Sequence, residues 1–150
     1  IEDEGSSGSA GSHFERRLYK DEVMTAAGGS KISTFTLLAL QDLGVGYTVN
    51  TGSAEAMEWG KDTGCGFHTS KCDTTAGGSG TYFCFDTTQS KGCSYNRKGI
   101  GPCSTGTYSA DLPSYFQYFA GQPRLGGTKT FMDKCPYREP YSNRRCDNAS

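Results

Sequence analysis

Seven cysteines, at positions 65, 72, 84, 93, 103, 135 and 146, constrain this 150-residue chain more than any other feature. No two of them form a C-x-x-C pair, which argues against a thiolate zinc site or a thioredoxin-type redox motif and for structural disulfides. The aliphatic content points the same way. Ile, Leu, Val and Phe make up only 21 of the 150 residues, few enough to suggest disorder if the chain were strongly charged. The formal net charge is only -1, and nine tyrosines stand beside eight phenylalanines. Covalent links and aromatic contacts are therefore expected to replace a large aliphatic core. The expected fold class is a mostly irregular, disulfide-stapled α+β protein with few regular elements, made in an oxidising compartment.

The same composition narrows the partners. A near-neutral charge gives no electrostatic reason to expect nucleic acid or an anionic membrane surface, and no apolar stretch is long enough to cross a membrane. An odd number of cysteines leaves at least one thiol free or bonded outside the chain. The chain starts at Ile1 rather than at a methionine and carries no signal peptide, so a partner cysteine in an upstream segment is the expectation. Asn148-Ala149-Ser150 completes an N-x-[ST] sequon, which makes Asn148 a candidate glycosylation site in a chain that passes through the secretory pathway.

Local signals predict a handful of elements. Ser12 and Glu15 have capping-box spacing, placing a short helical turn from His13 with Phe14 and Leu18 on one face. Residues 32–43 carry the clearest helix, with Ser33 as N-cap and Gly44 as the left-handed stop; its wide apolar stripe predicts burial. Tyr47–Val49 is a candidate strand and Ala54–Trp59 a candidate helical turn. Pro113 is placed to open a helix through an aromatic run ending at Phe119, whose rings are expected to pack inside.

The chemistry concentrates near the N-terminus. Ser12-His13 is followed at Met24 by a methionine in the sequence Asp21-Glu22-Val23-Met24. In metzincin zinc peptidases a helix supplies two histidines as H-E-x-x-H, a third arrives downstream, and a methionine turn floors the metal. Only the last two parts have counterparts here: the chain has two histidines, His13 and His68, and no H-E-x-x-H.

The order of motifs along the chain sharpens this likeness. Glu2–Gly5, Ala10–His13, Asp21–Met24, the helix ending Gln41–Gly44, Tyr47–Asn50, Ala54-Glu55, Trp59-Gly60, Gly64-Cys65, Asp111–Phe119 and Met132–Pro136 together resemble the leishmanolysin family of surface zinc metallopeptidases. The resemblance implies that residues 1–60 end a metzincin catalytic region and residues 61–150 form a cysteine-rich C-terminal domain of leishmanolysin type. It implies His13 as the third zinc ligand and Met24 as the methionine of the turn. Thr25, Ala26 and Ala27 would border the pocket that receives the substrate side chain following the scissile bond. It further implies Cys72 paired with Cys135, Cys84 with Cys103, and Cys65 bonded to the upstream segment. The resemblance leaves Cys93 and Cys146 unassigned.

The function it implies is the C-terminal portion of an extracellular or cell-surface zinc endopeptidase acting on protein or peptide substrates. One zinc ion is expected only together with the upstream H-E-x-x-H, and the chain alone is expected to be inactive because the catalytic glutamate is not in it. Two other readings stand beside it: an inactive leishmanolysin-like protein with a structural or adhesive role, and a free-standing extracellular binding module whose odd cysteine forms an intermolecular bridge.

Overall fold

In the computed structural model, residues 1–72 and 81–146 are described. Asn148, the sequon asparagine, lies outside them. Regular structure is sparse. Among the described residues, three helices, α1 (Arg16–Tyr19), α2 (Thr34–Asp42) and α3 (Gly66–Thr69), are followed by two antiparallel hairpins. The first hairpin pairs β1 (Lys91–Cys93) with β2 (Ile100–Pro102), and the second pairs β3 (Thr105–Thr107) with β4 (Leu125–Gly127).

The capping box does not form as the spacing predicts. Ser12 Oγ contacts the carbonyls of Gly8 and Ser9 at 3.3 and 3.2 Å, because the preceding Gly/Ser segment is itself coiled into turns. Glu15 caps α1 instead, its Oε1 accepting the Arg17 amide at 3.2 Å. A cap hydroxyl already used by its own turn cannot also satisfy a helix N-terminus.

The second helix begins and ends as expected. Ser33 Oγ accepts the Phe35 amide at 3.1 Å, and Gly44 follows at φ +68°. Its burial is not as expected. Ile32, Phe35, Leu38, Leu40 and Leu43 are all exposed and only Thr36 of the helix is buried. Of the apolar stripe that predicts burial, Phe35 meets the Tyr19 ring edge-on at 4.9 Å, while Leu38, Leu40 and Leu43 stay exposed.

Beyond α2 two expected elements are replaced. Tyr47–Val49 is irregular, and in place of a helical turn at Ala54–Trp59 a 3-10 turn forms earlier, over Thr51–Ser53, where Asn50 Oδ1 accepts the Gly52 amide at 3.0 Å. Residues 54–58 then run irregularly, tied to the start of α2 by Glu55 N–H donating to the Ile32 carbonyl at 2.8 Å. Pro113 opens a 3-10 turn, Ser114–Phe116, rather than a full helix; Leu112 and Phe119 pack inside while Tyr115 faces out.

Trp59 is the centre of the core. Its indole is 1% exposed and meets Tyr82, Phe83, Tyr95 and Tyr137 edge-on, at centroid separations of 5.3, 5.5, 4.8 and 5.9 Å. Edge-to-face contacts match the positive ring edge to the negative ring face, adding to what area burial supplies. Phe67 stacks on Phe83, and Met132 and the Cys72–Cys135 disulfide complete the cluster. Two further disulfides, Cys84–Cys103 and Cys93–Cys146, staple the hairpins, and Cys65 is unpaired and exposed. Gly127 lets the chain cross closely, since a Cβ there would stand 2.6 Å from the Cys135 backbone. None of the described helices is long and apolar enough to cross a membrane.

Ion pairs join the two ends of the sequence. Arg17 bonds Asp133 at 2.8 Å and Lys134 bonds Glu4 at 2.7 Å. The first residues of the chain are thereby held on the segment around Met132.

Candidate metal and substrate site

Segments 12–14 and 22–31 build the site. His13 is half-buried, and its Nδ1 lies 3.2 Å from the Ser9 carbonyl and 3.1 Å from Ser12 Oγ. A carbonyl only accepts, so with the proton on Nδ1 the Ser9 contact becomes a hydrogen bond and the lone pair is left on Nε2. In that tautomer the imidazole can bind a metal through Nε2 while the Ser9 carbonyl orients its ring. The donor set therefore fits one zinc ligand and no more. Among the described residues, the one group of three metal-capable side chains is Glu2, Asp3 and Glu15, and His13 is not in it. His68, on α3, packs beside Tyr19 and Phe67.

Met24 is brought next to that histidine by the backbone. Phe14 N–H donates to the Met24 carbonyl at 2.9 Å, and Phe14 and Thr25 form an isolated parallel bridge. Residues 22–31 then close into a loop, because Val23 N–H reaches the Lys31 carbonyl at 2.8 Å while Ser30 and Lys31 amides reach the Asp21 carbonyl at 3.0 and 2.9 Å. The Met24 side chain is left 41% exposed. Gly29 is obligatory in this loop, for a Cβ there would lie 1.6 Å from the Glu22 carbonyl oxygen.

The three small residues after Met24 are not equivalent. Thr25 is buried, its hydroxyl donating to the Glu22 carbonyl at 2.8 Å, whereas Ala26 and Ala27 are half-buried. The Ala27 carbonyl accepts from Arg16 Nε at 2.6 Å.

Two adjacent carboxylates hold the loop, and the sequence reading did not single them out. Glu22 is 0% exposed; its Oε1 accepts the Ser33 amide at 2.8 Å and its Oε2 the Thr36 hydroxyl at 2.8 Å and the Met24 amide at 3.4 Å. Burial alone pushes its pKa up, but these donors outweigh burial and hold it below the usual carboxylate value. Asp21 accepts the Glu58 and Trp59 amides at 2.9 and 3.0 Å and the Tyr95 hydroxyl, and its pKa is likewise lowered against the effect of burial. Beside it Lys20 Nζ sits over the rings of Trp59, Tyr95 and Tyr137, and burial lowers its pKa. Glu15 behaves in the opposite way: burial, with Asp133 and Glu2 nearby, raises its pKa to about 7. The one signal for Asp21 and Glu22 in the sequence is their place directly before Val23-Met24; nothing local says that both are buried.

Known proteins are similar to this chain over most of its length. A family model for leishmanolysin, peptidase family M8, matches residues 1–150. The leishmanolysins of Leishmania chagasi and Leishmania major are 40% and 38% identical to it over 148 residues, covering 97% of this chain and 24% of their own length. The leishmanolysin homolog of Crithidia fasciculata is 40% identical over 140 residues, covering 91% of this chain and 21% of its own. A match of that extent places the chain in a peptidase family. The chain belongs to the leishmanolysin family. It spans about a quarter of the length of these relatives.

Proposed function

We propose that this chain is the C-terminal portion of an extracellular or cell-surface zinc endopeptidase of leishmanolysin type, with residues 1–60 ending the catalytic region and residues 61–150 forming a cysteine-rich domain. The observation that carries the reading is the contact of His13 Nδ1 with the Ser9 carbonyl. Nδ1 lies 3.2 Å from that carbonyl, so a proton there leaves Nε2 for a metal, and Phe14 N–H donating to the Met24 carbonyl at 2.9 Å ties Met24 to the residue that follows His13. Family membership supports peptidase chemistry, and three disulfides support an oxidising location.

In this reading His13 supplies one of three imidazoles, and the upstream segment supplies H-E-x-x-H. Bound zinc would polarise the scissile carbonyl and lower the pKa of a water toward ~7. The chain's own residues orient His13 through Ser9 and Ser12, hold Met24 between Phe14 and Glu22, and present Ala26 and Ala27 as a small-residue wall to an apolar substrate side chain. Thr25, with its hydroxyl turned inward, supports that wall. Cys65, exposed and unpaired, is the attachment point for a cysteine of the upstream segment.

The test is made on the full-length protein. It is expected to hold one zinc per chain and to cleave peptides, and His13→Ala is expected to lose both, while the isolated 150-residue chain binds no zinc tightly. A full-length protein whose H-E-x-x-H segment is broken, or cleavage undiminished in His13→Ala, overturns the reading.

A further inference from the structure

We infer that Arg16 is a positioning residue for the substrate pocket: its buried guanidinium sets the place of the Ala27 carbonyl by tying it to the segment around Thr130. The inference rests on the proposed function, in which Ala26 and Ala27 wall the pocket. Arg16 Nε donates to the Ala27 carbonyl at 2.6 Å and one terminal nitrogen donates to the Thr130 carbonyl at 2.9 Å. Both donors belong to one rigid planar fork, so the spacing of two carbonyls 103 residues apart in sequence follows the geometry of a single group. Gly28 lies against the same side chain, a Cβ there standing 3.2 Å from the guanidinium.

The guanidinium also reaches the Tyr137 hydroxyl, a neutral group. The side chain is 9% exposed, and among the described residues no carboxylate forms an ion pair with it. A buried cation that neutralises no anion is a costly way to gain stability, whereas as a fixed fork it specifies position. The other end of the tie is rigid. Phe131, Asp133 and Lys134 all adopt left-handed φ, at 60°, 50° and 58°, a run that persists only where its surroundings over-determine it. Arg17 on Asp133, Glu4 on Lys134 and the Cys72–Cys135 disulfide provide that determination. His13 is held independently, through Ser9, Ser12 and the Glu2 amide on its carbonyl, so the clamp acts on pocket shape and not on the metal ligand.

The experiment uses the full-length protein and peptides that differ only in the residue after the scissile bond, Ala, Leu or Phe. Arg16→Met keeps the volume and removes both donors. It is expected to change the ratios of kcat/KM across the series by roughly tenfold, with zinc content unchanged and faster amide exchange confined to residues 23–31. Wild-type ratios in that variant overturn the inference, as does exchange raised evenly along the chain, which marks a merely structural role. Should Arg16→Met fail to fold, Arg16→Lys decides: intermediate ratios support the clamp and unchanged ratios remove it. A wild-type protein without zinc or cleavage removes the functional reading and this inference together, whereas an active wild type with insensitive ratios removes only the inference.

Discussion

The carboxylate of Asp21 accepts the main-chain amide of Trp59 at 3.0 Å. That one bond joins the root of the methionine loop to the centre of the aromatic core, and the adjacent Glu58 amide and the Tyr95 hydroxyl converge on the same carboxylate. The loop is therefore anchored at its root to the core through Asp21, and to the start of α2 through Glu22.

Asp21 makes stability depend on pH in a definite direction. Its folded-state pKa is lowered, so its contribution is present above the unfolded value near 3.8 and is lost as pH falls through the folded one. Asp21→Asn is expected to cost about 1–3 kcal/mol at pH 7. Urea unfolding of both proteins from pH 7 down to pH 2 is expected to show the gap closing below about pH 4. A gap that persists unchanged at the acid end contradicts the assignment.

Gly29 permits the closest backbone approach in the methionine loop, 1.6 Å from a hypothetical Cβ to the Glu22 oxygen. Gly29→Ala has no flexible side chain to displace and must open the loop or shift Glu22. A loss of roughly 2–4 kcal/mol is expected, together with lost protection of the Val23 and Lys31 amides in hydrogen exchange. Gly11, with open space around its hypothetical Cβ but φ +76°, is the control for backbone conformation alone: Gly11→Ala is expected to cost about 1 kcal/mol.

The Cys72–Cys135 disulfide closes a sequence separation of 63 residues and lies fully buried in the core. Replacing both cysteines by alanine is expected to lower stability by about 2–5 kcal/mol. The same exchange at Cys93–Cys146, whose separation is 53 but whose sulfurs lie in half-buried residues, is expected to cost less, since it removes no core packing. Thermal unfolding of the two double variants orders them; an equal or inverted order shows that chain entropy outweighs burial here.

Local chemistry was readable wherever the partners lie within a few residues. Ser33 as the cap of α2 and Gly44 as its stop need only one turn of chain, and both appear where the spacing puts them. Ser12 misled because its hydroxyl has two local uses, cap or turn, and the Gly/Ser coil before it decides between them. The stripe on α2 reads as buried because apolarity records what a helix wants and not what stands next to it. Thr36, a polar residue, is its buried position because Glu22 is there to receive its hydroxyl.

The candidate site divides in the same way. His13, Met24 and the run Thr25–Ala27 were legible through the order of motifs shared with a family, a signal that needs no coordinates. Arg16, Asp21 and Glu22 were not, because a charged side chain reads as solvated until its partners are known, and theirs are main-chain groups and the hydroxyls of Tyr95, Thr36 and Tyr137, whose approach composition does not record.

By itself the sequence determined the kind of protein: few aliphatics, many aromatics and seven cysteines leave a loop-rich, cross-linked fold as the way to bury enough surface. Tertiary structure alone decided that Cys93 meets Cys146, that Trp59 rather than the aromatic run near Phe119 is the hub, and that Arg16 spans from Ala27 to Thr130. The reason is physical. Caps and turns are settled by forces within one turn of chain, while long-range pairing and burial depend on where loops of tens of residues close, and the cost of closing them varies so slowly with length that spacing barely distinguishes one partner from another.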